Sequence, residues 1–176
     1  MQLGRRAAFI GLAAVVAAGL VWFSHAGSTT KSVDSPDLGR LQATLVIDFG
    51  DAPNHRILVR KLNDLPPSIT GWELFKSAGV SVQGTDQYPT GFVCRIADWP
   101  TAANQNCHDT PTYAQGHWAY FVTNKNLGDG WVLSGQGAAM HHPECGGYEG
   151  WLWISPKNPA IPAAPRIYPK ITECPK

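Results

Sequence analysis

The residues of this 176-residue chain that could do chemistry crowd into its second half. His108, His117, His141 and His142 fall in or beside loop sequences, with Cys145 close behind the last pair. A metal centre needs three or four converging ligands. Adjacent histidines on an extended chain point to opposite sides, and a cysteine held in a disulfide offers no thiolate. These histidines therefore read as loop residues. Five carboxylates, Asp98, Asp109, Asp129, Glu144 and Glu149, could supply an acid/base pair of the glycosidase kind, but no spacing selects two of them. Glu149, next to Gly150 and the last tryptophans, is the one to test first; the alternative is a solvated edge position. No G-x-S-x-G or H-E-x-x-H pattern occurs, and Ser28 with Lys31 is an isolated S-x-x-K in a polar stretch. The sequence assigns no catalytic residue and favours binding over turnover.

Aromatic residues carry the stronger signal. Five of the seven tryptophans lie between Gly91 and Ile154. Trp118, Tyr120, Trp131, Trp151 and Trp153 could form a flat surface for a ring-shaped ligand or a sugar, because large rigid rings bury area at low entropic cost. The competing account makes the same rings the core between a sheet and a helix. One short helix covers one face of a sheet, so aromatics on both faces would leave some exposed for binding. On that basis Trp118, Tyr120, Trp131, Trp151, Trp153 and Glu149 are the expected ligand-binding residues.

The elements that must position these side chains follow from local pattern. Leu41 to Phe49 alternates as a strand, with Leu45 and Ile47 on one face and Val46 on the other. A turn over residues 50–54 leads into a returning strand from Arg56. Thr70 and Glu73 are spaced as a capping box, Ile69 and Leu74 as its hydrophobic staple, and Gly79 as the stop signal of a short helix burying Trp72 and Phe75. Further strands are predicted at Phe92–Ile96, Trp118–Val122, Trp131–Ser134 and Tyr148–Ile154. In the first of these, Phe92, Cys94 and Ile96 would share one side and Val93 and Arg95 the other. After Ser155 six prolines exclude a central strand, and an extended surface tail is expected. The order gives an α+β domain: a small, mostly antiparallel sheet with one short helix packed across it.

Composition sets the address. Arg5 and Arg6, an apolar run over residues 7–23 and a small-x-small site ending at Ala26 have the layout of a secretory signal peptide over 1–26, with an uncleaved membrane anchor as the rival. Residues 27–40 then read as a linker, 41–155 as the domain and 156–176 as the tail. Losing the two arginines takes the formal charge from +1 to about −1, with no basic block, which excludes a nucleic-acid face. Four cysteines in an exported chain read as two disulfides. Three pairings are possible, and the nearest-neighbour choice is Cys94–Cys107 with Cys145–Cys174.

At Thr70–Val80, Gly91–Ile96, Cys107, His117–Phe121, Gly130–Ala138 and Glu149–Trp153 the chain resembles a secreted, actinobacterial-type domain family of unassigned function. That family is compared with the C-terminal domain of the cobalamin carriers transcobalamin and intrinsic factor. The resemblance, covering about residues 41–154, implies a β-grasp-like fold, corrinoid (cobalamin) binding, and association with a membrane transporter for a vitamin at the cell exterior. One imidazole among His117, His141 and His142 could then be an axial ligand to cobalt. The chain departs from the carriers in having no helical-barrel domain before the sheet, the half that supplies much of their ligand contact. The function expected is an extracellular or cell-envelope, non-enzymatic ligand-binding module. A cell-wall or glycan-binding module (or weak hydrolase) using the same aromatics and a structural partner of a transporter are the alternatives.

Overall fold

The computed structural model describes residues 40–53, 56–157 and 164–174. The expected signal peptide or anchor and nearly all of the linker lie outside the described residues. Among the described residues no helix is long and apolar enough to cross a membrane.

Five strands form the main sheet: β1 (Leu41–Asp48), β2 (Ile57–Leu65), β5 (His117–Val122), β6 (Val132–Leu133) and β7 (Gly147–Ile154), in the order β2-β1-β7-β5-β6. The β1–β2 hairpin is antiparallel, as are the pairings of β5 with β7 and with β6. The central pair β1–β7 runs parallel, from Ala43 opposite Gly147 to Asp48 opposite Leu152. The sheet is therefore mixed, with its parallel ladder at the centre. Parallel neighbours need a long crossover, and the whole middle of the chain serves as one. A second, two-stranded sheet pairs β3 (Val82–Gly84) with β4 (Val93–Ile96), a strand pair that Val82 alone did not announce. Val93 and Ile96 both enter the main core, so the expected split of β4 by alternation does not hold. A register shift between Gln83 and Gly84 accompanies it.

The helix α1 (Glu73–Ser77) is short, and its ends are made as the sequence implies. The Thr70 hydroxyl and N–H both donate to the Glu73 carboxylate, at 3.0 and 2.8 Å, and the Glu73 N–H donates to the Thr70 hydroxyl at 3.3 Å. At the other end the Val80 N–H reaches the Phe75 carbonyl and the Gly79 N–H that of Lys76, with Gly79 at φ +64°. That double bond is the left-handed stop that glycine allows. Leu74 joins Ile69, Leu41, Ala43 and Leu65 in one apolar cluster, while Phe75 enters the larger core beside Trp151.

Both faces of the main sheet are covered. On the α1 side lie Leu45, Ile47, Trp118, Tyr120, Val122, Trp151 and Trp153; on the other lie Ala119, Phe121, Leu152 and Ile154 with Trp131 and Ala164. The C-terminal strap, residues 164–174, supplies the second cover. Pro165 packs at Gly150, the Trp131 indole N–H donates to the Ile167 carbonyl at 2.7 Å, and the Thr172 N–H donates to the Gly146 carbonyl at 3.2 Å. Gly146 (φ +74°) lies so close to Thr172 that no side chain fits between them. The surface tail expected from its prolines is thus part of the packing, and Pro169 is fully buried.

A buried ion pair fixes the strap. Asp48, on the strap side of β1, is 0% exposed. It accepts from the Arg166 N–H at 2.8 Å, from the guanidinium at 2.7 and 3.0 Å, and from the Gly50 N–H at 2.9 Å. Burial alone would raise its pKa, but the hydrogen bonds from Arg166 and Gly50 and the guanidinium charge outweigh that and hold the carboxyl below its ordinary 3.8.

Cys94–Cys107 and Cys145–Cys174 are both disulfides, with Cα separations of 5.7 and 5.8 Å, so the nearest-neighbour pairing holds. By loop entropy they contribute about 3 and about 3.6 kcal/mol. Two disulfides and no free thiol fit an oxidising, extracytoplasmic environment.

Candidate functional site

Four of the five expected ligand-binding aromatics come together, but as core. Cross-strand register sets Trp118 opposite Trp153 and Tyr120 opposite Trp151. The first pair meets edge-on with ring centroids 5.5 Å apart, and the second stacks at 4.6 Å. All four residues are at most 8% exposed. Trp131 lies across the sheet from them, its ring pressed on Gly150 beneath the strap. The five rings do not make one flat surface. The face reasoned to be open is the one that the strap closes.

Concavity appears instead at one end of the central strands. β1 and β7 run parallel, so the turn after β1 and the chain after β7 emerge together, beside the segment that enters β5. Their residues wall a cleft of about 630 Å³. Trp99 and Trp153 meet edge-on at 5.9 Å, and the cleft they line continues over Pro53, Pro100 and Pro156. Asp51, Asn104, Gln115 and Lys157 add a few polar groups. A shallower recess of about 340 Å³ shares Pro53 and Trp99 and reaches Phe49, over whose ring the Arg56 guanidinium sits at 4.2 Å. Aromatic and proline walls with polar groups set among them, in this range of volume, suit a small-molecule site. Trp153 is the expected ligand residue that lines it.

Trp99 is set by a strained turn. Ile96 and Trp99 exchange both backbone hydrogen bonds, at 2.9 and 3.0 Å, around Ala97 at φ +46° and Asp98 at φ +66°. Two left-handed residues in succession suit the twist of a tight hairpin, and glycine or asparagine ordinarily takes those places. Holding Ala and Asp there costs about 1 kcal/mol or more apiece. The Trp99 carbonyl in turn accepts from the Trp118 indole at 3.3 Å. The sequence carries no signal for this turn, because its central dipeptide Ala97-Asp98 lacks the glycine that would have revealed it.

Glu149 belongs to a second constellation, at the other end of the same sheet face. It is 1% exposed, neither on an edge nor solvated. The Tyr120 hydroxyl donates a short hydrogen bond to its Oε2, and His141 Nδ1 lies 3.2 Å from its Oε1 and 3.3 Å from the Tyr120 hydroxyl. The backbone of Gly71 passes directly over the group, where a Cβ would run into the Tyr120 hydroxyl and come within 3.0 Å of Glu149 Oε2. Burial pushes the Glu149 carboxyl above its ordinary 4.5, although its bonds to His141 and Tyr120 pull the other way. The hydrogen bond to Glu149 raises His141 above 6.5 against the effect of its own burial. Burial and the adjacent carboxylate push the Tyr120 phenol far up, so it remains a donor. His141 is thus the carboxylate's partner rather than a solvent histidine. His142 Nδ1 lies 3.0 Å from the Ile69 carbonyl. His117 is half-buried against Tyr113, and burial lowers its pKa. His108 pairs with Asp86 on the surface.

Among the described residues, no three His, Cys, Asp or Glu side chains converge as a metal site. Comparison with known proteins finds no matching family model, no matching curated protein and no matching solved structure.

Proposed function

We propose that this chain is an exported, non-enzymatic binding module that receives one face of a ring-shaped small molecule in the Trp99–Trp153 cleft. The observation that carries the reading is the cleft itself: indole and proline walls at the point where three connections converge, with Asp51, Asn104, Gln115, Ser155 and Lys157 among its lining. The resemblance noted in the sequence makes a corrinoid the first ligand to try. A β-grasp-like reading of the domain is supported by the parallel β1–β7 pair flanked by β2 on one side and β5–β6 on the other. The cleft is open and smaller than a whole corrinoid, so the remaining face of the ligand is left to a partner, a membrane transporter for a vitamin being the one the resemblance implies.

Titration of the oxidised protein with cobalamin, followed by absorbance and by quenching of tryptophan fluorescence, tests this. Saturable quenching that disappears in Trp99→Ala supports it; no response at saturating ligand removes the corrinoid. Carboxamides, a carboxylate and an ammonium beside aromatic walls also suit a sugar. Retention on purified cell wall, lost in the same variant, would favour that second reading.

A further inference from the structure

We propose that Tyr120, Glu149 and His141 form a proton-operated latch that fastens the segment from Gly137 to Glu144 onto the start of α1. The segment is tied to the helix entry by backbone bonds. The Gly71 N–H donates to the His141 carbonyl at 2.9 Å, and the Trp72 N–H to the Ala138 carbonyl at 3.0 Å. His142 adds its contact with Ile69, and Ala138 sits in the main core at 3% exposure. Beneath these ties lies the three-residue cluster, to which Gly71 alone gives room. His141 is its route to solvent: the imidazole is 20% exposed and the Glu149 side chain 2%.

Several groups act on His141 from the surrounding elements. β7 presents Glu149, β5 presents the Tyr120 phenol, and the segment itself carries Glu144. On the α1 side Glu73 is held by Thr70 and feels His142 and Lys76. With His141 protonated, one carboxylate oxygen faces a cation and the other a phenol. Deprotonation leaves a carboxylate in the core whose partners, the phenol and a neutral imidazole, are both uncharged, and a buried charge without a counter-charge is costly. Lifting the segment admits water to Glu149 and removes the acceptors from the Gly71 and Trp72 amides.

The direction follows from the raised affinities. His141 stabilises the fastened form fully below 6.5, and that contribution is lost as pH rises through its higher folded value. Glu149, raised above 4.5, acts in the same direction. The latch is closed in mild acid and opens in alkali.

Amide hydrogen exchange followed by NMR on the oxidised protein between about pH 6 and 9.5, corrected for intrinsic rates, tests this. Protection at Gly71 and Trp72 should fall between pH 6.5 and the folded His141 midpoint, by up to about ten-fold per pH unit, the slope of one linked proton, and level off above it. Amides of the β1–β7 ladder should hold theirs. In Glu149→Gln the same two amides should lose this pH dependence, because a neutral carboxamide needs no cation. If that variant does not fold, the His141 ring resonances of the wild type decide instead. A midpoint above 6.5, at the pH where the loss at Gly71 and Trp72 levels off, supports the latch. Protection independent of pH, an equal loss throughout the sheet, an unchanged slope in Glu149→Gln, or a His141 midpoint below 6.5 would overturn it.

Discussion

Removing the Arg166 side chain should cost about 3 kcal/mol at neutral pH. Asp48 is fully buried and loses its guanidinium contacts, at 2.7, 3.0 and 3.1 Å, in Arg166→Ala. Breaking a buried pair from one side costs about 3–5 kcal/mol. The lower end applies, because the backbone N–H groups of Arg166 and Gly50 still donate to the carboxylate, and the guanidinium is half exposed, so water can follow it. The Cys145–Cys174 bridge keeps the strap attached, which limits the damage to the contacts of the Arg166 side chain. Urea unfolding of the oxidised protein at pH 7 measures the cost; a domain of this size should melt about 6–12 °C lower. The Asp48 pKa is depressed below 3.8, so its contribution is present above that value and lost as pH falls through the folded one. The penalty should therefore shrink in strong acid. A cost below about 1 kcal/mol at pH 7, or one that is the same after Asp48 is protonated, would refute the role given to this pair.

Substitutions at two further positions probe the sites. Asp98→Gly relieves a left-handed residue on the exposed turn beside Trp99 and should stabilise by about 0.5–1 kcal/mol, whereas Asp98→Val should destabilise by about 1–2 kcal/mol. Equal effects in urea unfolding would remove the strain argument. Gly71→Ala should cost about 2 kcal/mol, because its methyl group meets the Tyr120 hydroxyl, and less in a Tyr120→Phe background that removes the obstacle. Additive costs in the double-mutant cycle would contradict the close approach.

Much of the fold was legible because local signals agreed. The Thr70–Glu73 box, the Gly79 stop and the alternation through Leu45 and Ile47 all appear where their spacing placed them. The strap was not legible. Its prolines excluded a strand, yet composition says nothing of what Arg166 meets, and Asp48 lies far away in sequence. That omission led to the inference of an open sheet face. Glu149 was read as a ligand or edge residue although it alternates with Trp151 and Trp153, which puts its carboxylate on the core face. The signal was present; what the sequence lacked was the half-buried imidazole and buried phenol that make such a carboxylate tolerable.

The central ladder joins the first strand of the domain to the last, Ala43 beside Gly147. No shorter chain can assemble the middle of this sheet, since a growing polypeptide holds β1 with nothing on its inner edge until β7 arrives. A nascent copy therefore stays unlocked while most of its length is made. Closure of the ladder, docking of the strap and sealing of Cys174 to Cys145 then come together, once the last strand and the strap are made.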